Sequence, residues 1–408
     1  MLRDALKGLT VLDFTQIAAG PTSSMLLADM GARVIKIEPP EGELGRTLGP
    51  AWVGDDSALY HGFNRGKLGV CLDLKHPASL AIVQRMVAEA DVLIESMRPG
   101  VMARLGLGYE AMAEINPALV YCSISAYGQR GPYADRAGVD GILQADSGLM
   151  SLIGTPGAPP CKVQAPVVDV VTGYMACMAI LAKLQARQRD GQGGHLDVSL
   201  MNSALALQQS SITSYLRDGE LPTRIGSAAP YSAPNEAFQT RDGWIMVAAY
   251  NGNRWERLCG VLGLPELVTD PRFISSAQRV AHRAEMQAAL NAVFGGRTSE
   301  HWLQALRKAD ILCAKVTDYS DLLEHPQLAG NGMLAEVEHP RHGTLRTVGF
   351  PVNSAEAAAV SYQPAPDLGE HSRSVLRSFA FSDAEIDALM GSGALQGERV
   401  RRDLAMGS

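Results

Sequence analysis

Leu9-Thr10-Val11-Leu12-Asp13-Phe14, then Thr15 to Thr22 with Gly20-Pro21 inside it, then Arg33-Val34-Ile35-Lys36-Ile37, is the stretch from which the architecture of this chain can be read. The first six residues form a short apolar run of strand length. Thr15 to Thr22 has the glycine and proline of a loop. Met25, Leu26, Leu27 and Met30 then predict a helix, stopped at Gly31, and Arg33 to Ile37 predict a second strand. A strand, a crossover helix and another strand imply parallel pairing. The pattern continues downstream. Strands are predicted at Val70–Leu72, Val92–Ile94 and Val120–Ser125, with a helix marked by Leu80, Val83 and Val87. The fold class is therefore α/β with a parallel sheet. Such sheets bind ligands beyond the carboxyl ends of their strands.

Composition limits what the protein does. A chain of 408 residues exceeds one ordinary core and implies two domains. A net charge of −7 argues against nucleic acid as a partner. Met1 to Lys7 lacks an apolar signal region, and no uninterrupted run of about 18 apolar residues occurs, so neither export nor a membrane span is expected. The six cysteines are scattered without a CxxC pair and mostly lie in apolar runs, as buried thiols of a reducing cytoplasm do. The nine histidines show no HExxH or other close ligand spacing, so no metal is expected. The loop after the first strand has no GxGxxG, which removes the dinucleotide fingerprint of a dehydrogenase. Gly62 to Leu68 imitates a phosphate loop but is one residue short and ends in Leu. No GxSxG elbow is present.

Leu196–Leu200 reads as a strand. From about Asp218 to Ala237 the chain is rich in Gly, Pro, Ser and Ala. Beyond it a strand (Trp244–Ala249) and helices around Trp255–Leu262, 283–294 and 301–309 describe a different, α+β grammar. Leu345–Phe350 reads as a strand. Ser382-Asp383-Ala384-Glu385 is a capping box opening a last helix. The tail from Gln396 to Ser408 is charged and is expected to be disordered. The domain reading is 1–204 for a large α/β domain, 205–237 for a linker, 238–324 for a small α+β domain, and 325–408 for a second linker and the C-terminal part of the large domain.

Pro166-Val167-Val168-Asp169-Val170-Val171-Thr172-Gly173 precedes the clearest helical pattern in the chain: Val170, Tyr174, Cys177, Met178, Leu181 and Leu184. Asp169 stands at its start and has two readings. It is an N-cap, accepting hydrogen bonds from the first helix amides. Or it is a nucleophile, held ionised by those amides and the helix dipole, able to attack an acyl carbon.

Several further stretches carry a family resemblance. They are Leu12-Asp13-Phe14 with Ala19-Gly20-Pro21, Leu27 to Ala32 running into Val34 to Glu38, and Asn64 to Lys67. Leu72 to Lys75, Glu95 to Gly100 leading to Arg104, Tyr127 to Pro132, Asp169 to Gly173 and Asp367 to His371 complete the set. In this order and spacing the chain, from about residue 6 to 392, resembles the family III CoA-transferases of the CaiB/BaiF type. That group contains formyl-CoA transferase, carnitine CoA-transferase and acyl-CoA racemases. The resemblance implies a Rossmann-like large domain built from both chain ends, a smaller α+β domain between them, and an interlocked homodimer. It implies a cytoplasmic enzyme that moves CoA from an acyl-CoA donor to a carboxylic acid, with the CoA thioester as substrate and no permanently bound cofactor.

The resemblance makes Asp169 the nucleophile, through an aspartyl anhydride and an aspartyl-CoA thioester. Gln16, Ala18, Tyr127 and Asp140 become candidates for the oxyanion or acyl pocket, with backbone amides near Ala18 to Gly20 as donors. Leu72, Lys75, Ser96, Met97 and Arg104 match positions that hold CoA, and Arg46 is a weaker phosphate candidate. A racemase would carry His at Val139 and a second carboxylate near Asn251, and this chain departs at both. A CoA-binding protein without catalysis would have no use for Asp169. The segment Ala248 to Asn253 lacks the glycine run of formyl-CoA transferase, which turns the reading from formyl-CoA and oxalate towards succinyl-CoA and a longer dicarboxylate such as glutarate or itaconate.

Overall fold

The computed structural model describes residues 2–353 and 361–398. By internal contacts these fall into two units. One joins residues up to 149, 162–218 and from 329 onward; the other joins 150–161 and 219–328.

In the first unit, β1 (Thr10–Phe14), β2 (Arg33–Glu38), β3 (Lys67–Leu72), β4 (Val92–Glu95), β5 (Val120–Ser125) and β6 (Gly194–Ser199) lie in the order β3-β2-β1-β4-β5-β6. All five pairings are parallel. Leu395–Gln396 adds a short antiparallel strand on β3. Strand order reverses between β1 and β4, so the crevice beyond their carboxyl ends is the expected ligand site. The strands are apolar on both faces, as parallel strands between two helix layers must be. Val11, Val34, Val92, Ile94 and Val120 face helices α1 (Ala19–Asp29) and α5 (Val167–Asp190). Leu12, Phe14, Ile35, Val70 and Leu93 face α2 (Ser79–Val87) and the C-terminal helices, including the capping-box helix Asp383–Ser392.

The parallel sheet and most predicted elements are found close to their expected bounds. Three expectations are refined. Helix α5 is long and apolar enough to cross a membrane by length and composition. Here it is a core helix, with Val168, Ala176 and Ile180 buried beside Leu26 and Leu27 of α1. The stretch 205–237 is not one linker: helices Leu200–Leu207 and Gln209–Asp218 occupy its beginning, and strand Asn235–Gln239 starts within it. Leu345–Phe350 is one arm of a hairpin, Gly343–Val348 paired antiparallel with Leu334–His339. Of the charged tail, residues from 399 on lie outside the described residues.

The second unit has a three-stranded antiparallel sheet of Asn235–Gln239, Trp244–Ala248 and Leu312–Lys315, covered by helices that include Gly252–Leu262, Arg283–Phe294 and Ser299–Lys308. Its core holds Phe238, Trp255, Phe294 and Trp302. Asn251 is the N-cap of the first of these helices, its side chain accepting the Arg254 N–H at 2.9 Å.

Helices α1 and α5 touch through Gly173. A Cβ at that position would lie 2.6 Å from the Ala19 carbonyl oxygen and 2.6 Å from Thr22 Cβ. Gly173→Ala must therefore push the two helices apart. It is expected to cost about 1–3 kcal/mol of overpacking and to lower the urea midpoint. An unchanged midpoint would show that this contact is not tight.

Candidate active site

A cavity of about 710 Å³ lies beyond the carboxyl ends of β1 to β6, and each strand sends residues to its wall. They are 15–19 after β1, Pro39, Glu41 and Glu43 after β2, 73–75 after β3, 96–99 after β4, Ser125 and Ala126 at the end of β5 and Leu200 after β6. Arg136 to Val139 and Asp169 complete the lining that matters to the chemistry.

The β1–α1 loop is held from below. Asp13 is fully buried, and its Oδ1 accepts the Thr15 N–H (2.9 Å) and hydroxyl (2.5 Å). Its Oδ2 accepts from Ser24 (2.6 Å) and Lys67 (3.0 Å). Burial pushes this carboxyl up, but Lys67, Lys36 and the Ser24 and Thr15 hydroxyls outweigh it and hold it below the usual carboxylate range. Lys36 donates to the Thr15 carbonyl at 2.9 Å. Gln16 N–H reaches Ser96 Oγ at 3.2 Å, tying the β1 loop to the β4 loop across the crevice. Ile17 sits at φ 70°, in the left-handed region that a β-branched residue avoids. Gly20 admits Thr15, since a Cβ there would lie 2.2 Å from Thr15 Cβ. This loop delivers Ala18 and Ala19 to the cavity wall. The first intrahelical bond of α1 is Thr22 N–H to the Ala18 carbonyl. The preceding amides have no partner within the helix, and the positive end of its dipole borders the cavity.

Asp169 belongs to the first turn of α5, two residues after its start at Val167, and is half-buried at the cavity wall. It is not the N-cap. Pro166 holds that position without a side-chain cap, and Asp140, the first residue of α4 (Asp140–Asp146), supplies one from a distance. Asp140 Oδ2 accepts the N–H groups of Val168 (2.9 Å) and Asp169 (3.3 Å), while Oδ1 accepts Gln144 Nε2 (2.6 Å). The expectation that the helix start holds Asp169 ionised is also overturned. Burial first, and the neighbouring Asp140 charge second, push its carboxyl up to about 7. The free amides that would lower it are occupied by Asp140. One turn on, Gly173 abuts α1, so the side chain at 169 shares the α5 face that meets the start of α1.

Gln16, Ala18, Lys75, Ser96, Met97 and Asp169 come together at this cavity. Five expected residues are not in its wall. Leu72 is fully buried in β3, inside the core. Arg104 is exposed on α3 (Val101–Arg104), the helix whose Val101 does line the cavity. Asp140 acts through α5. Tyr127 donates to Asp146 at 2.8 Å and packs edge-on against Tyr133, whose ring carries the Arg136 guanidinium 3.5 Å from its centroid. Arg46 is buried and paired with Glu38 (2.7 Å) and Asp56 (2.6 Å), so it has no reach to a phosphate. Sequence reasoning missed Glu43 and Arg136, because no motif announces a residue whose role depends on which loops meet. The histidines also converge unexpectedly: His339, His342 and Asp367 place ligand atoms within 4.8 Å of one another. Arg341 ion-pairs with Asp367, however, and its backbone N–H donates to His339 Nδ1 at 3.2 Å.

The sequence profile of CoA-transferase family III matches residues 6–372. The chain belongs to that family. An acetyl-CoA:oxalate CoA-transferase of Acetobacter aceti is 39% identical over 93% of this chain and 96% of its own length. The human succinyl-CoA:glutarate CoA-transferase is 33% identical over 96% of this chain and 90% of its own. A CAIB/BAIF family protein from Brucella suis has the same fold in its crystal structure, with TM-score 0.83 at 34% identity, covering 92% of this chain and 99% of the other.

The raised Asp169 carboxyl gives a pH signature. A nucleophile must be ionised, so kcat/KM is expected to rise with pH and level off above about 7. For stability the sign is opposite. The folded state holds this proton more tightly than the unfolded state, whose value is 3.8, so the contribution is present below that value and lost as pH rises to about 7. Asp169→Asn should abolish that loss, read as a flatter unfolding midpoint between about pH 4 and 7. A midpoint profile unchanged by the substitution would contradict the shift.

Proposed function

We propose that this chain transfers CoA from an acyl-CoA donor, of the succinyl-CoA kind, to a free dicarboxylate, with Asp169 as covalent nucleophile. The observation that carries the reading is Asp169 in the wall of a cavity shared with Ala18 and Ala19 at the start of α1. The Asp169 carboxylate attacks the thioester carbonyl. The tetrahedral oxyanion collapses, the C–S bond breaks, and a mixed anhydride and CoA thiolate result. The thiolate attacks the aspartyl carbonyl, releases the donor acid and leaves an aspartyl-CoA thioester. The acceptor carboxylate reverses both steps. Amides at Ala18 and Ala19 serve the oxyanion, where one donor is typically worth about 3 kcal/mol. A desolvated, more basic carboxylate is the better nucleophile.

Lys75 and Arg98 in the wall, with Arg104 beside it, meet the CoA phosphates, and Ser96 and Met97 the nucleotide. Arg136 meets the second carboxylate of the acceptor. The relatives named for oxalate and glutarate favour a diacid. A racemase reading is disfavoured because Val139, in the cavity wall, has no titratable group. The dimer implied by the resemblance belongs to this reading.

Asp169→Asn tests it. The variant should fold, run at the wild-type size of about twice 43.5 kDa and lose several orders of magnitude of turnover, because an amide forms no anhydride. Wild type incubated with donor and hydroxylamine should carry a hydroxamate at Asp169, seen by peptide mass. Near-normal turnover of Asp169→Asn would exclude the mechanism.

The charged wall residues should separate kinetically. Lys75→Ala is expected to raise KM for the CoA donor, and Arg136→Ala to raise KM for a dicarboxylate more than for a monocarboxylate. Each removes a charge-assisted hydrogen bond of about 1.5–3 kcal/mol. Equal effects on both substrates would remove these assignments.

A further inference from the structure

Glu43 lines the same cavity as Asp169, yet no step above uses it. It is buried, and its carboxylate is fully engaged. Oε2 accepts the Ile17 N–H at 2.6 Å. Oε1 lies 3.2 Å from Lys36 Nζ and accepts Asn64 Nδ2 at 3.3 Å. The Glu43 N–H donates to Glu38 Oε2 at 3.0 Å, and Arg46 grips the same Glu38 carboxylate at 2.7 and 2.8 Å. A carboxylate anchored this firmly does not drift with its target. The residue it grips is the one held at φ 70°, immediately before the two residues that bring α1 to the cavity. Isoleucine left to itself returns to negative φ. That change would rotate the peptides on either side and carry Ala18 away from its place in the wall.

We propose that Glu43 is a positioning residue: its carboxylate holds Ile17 in the left-handed conformation and so keeps the Ala18 and Ala19 amides at the acyl site. The inference rests on the acyl-transfer reading and concerns the same site. It differs from a plain structural role. If Glu43 merely neutralised Lys36, its loss would lower stability without depending on what stands at 17.

A double-mutant cycle separates the two. Glycine enters the left-handed region freely, so Ile17→Gly removes the need for a tether. Glu43→Gln keeps size but has one acceptor oxygen where the carboxylate has two, so it cannot serve both Lys36 and the Ile17 N–H. Wild type, Glu43→Gln, Ile17→Gly and the double variant are compared by single-turnover hydroxamate formation at Asp169, with succinyl-CoA and acetyl-CoA as donors. Steady-state kcat and donor KM are measured alongside.

Glu43→Gln alone should slow acylation by about ten- to a hundredfold, within the range of losing an oxyanion donor, with donor KM almost unchanged. In the Ile17→Gly background the same change should cost less than about threefold, since the strain it opposes is gone. Equal losses in both backgrounds, or none in the wild-type background, overturn the proposal. Should Glu43→Gln fail to fold, Glu43→Asp retains the charge but falls short of Ile17, and the same comparison applies. An active wild type with no hydroxamate at Asp169 would instead sink the covalent reading, and the tether's role with it.

Discussion

Asp13, Lys67, Lys36 and Glu43 form a run of buried charges beneath the loop that follows β1, and the cavity depends on them. Each is removed from water, and each is compensated by a partner within 3.2 Å. Burying such ions is costly, and leaving one unpaired is worse, typically about 3–5 kcal/mol. The set therefore has little freedom to rearrange. Its free lone pairs and protons are spent on backbone: Thr15 N–H on Asp13, Thr15 carbonyl on Lys36, Ile17 N–H on Glu43. Rigidity below is converted into a fixed, strained loop above. A left-handed isoleucine persists only where its surroundings over-determine it.

The other wall is organised by a carboxylate that does not line the cavity. Asp140 caps α5 from another helix and consumes the amides that would otherwise stabilise charge on Asp169. One arrangement has two effects. The helix start is satisfied, and the Asp169 carboxylate is left desolvated beside a like charge, which raises it to about 7. A side chain poised near neutrality can switch between protonated and nucleophilic forms, the tuning expected of a catalytic group. The close approach of α5 to α1 at Gly173 then brings that carboxylate to the helix start that borders the cavity.

Much was legible in the chain itself. Short apolar strands alternating with amphipathic helices gave a parallel sheet, because a strand buried on both faces and followed by a crossover has few other homes. The helix after Asp169 and the capping box at Ser382 were local patterns, and local patterns survive folding. So did the rejection of a phosphate loop at Gly62 to Leu68: Asn64 and Lys67 bond one another inside the charge network instead.

What the sequence by itself determined was the set of elements and the family of chemistry, for both are carried by residue order and spacing. Tertiary structure alone decided the rest. It made Asp140 the cap and Asp169 the half-buried acid of the cavity wall, although an Asp at a helix start reads as a cap in one dimension. It placed Leu72 in the core and Arg46 in an ion cluster, although both stand in stretches that read as CoA-binding. It raised the Asp169 carboxyl where a helix dipole suggested the opposite, because burial and a neighbouring charge come from chain segments 29 residues apart. Solvation and like-charge proximity are properties of the assembled space, and no local pattern records them.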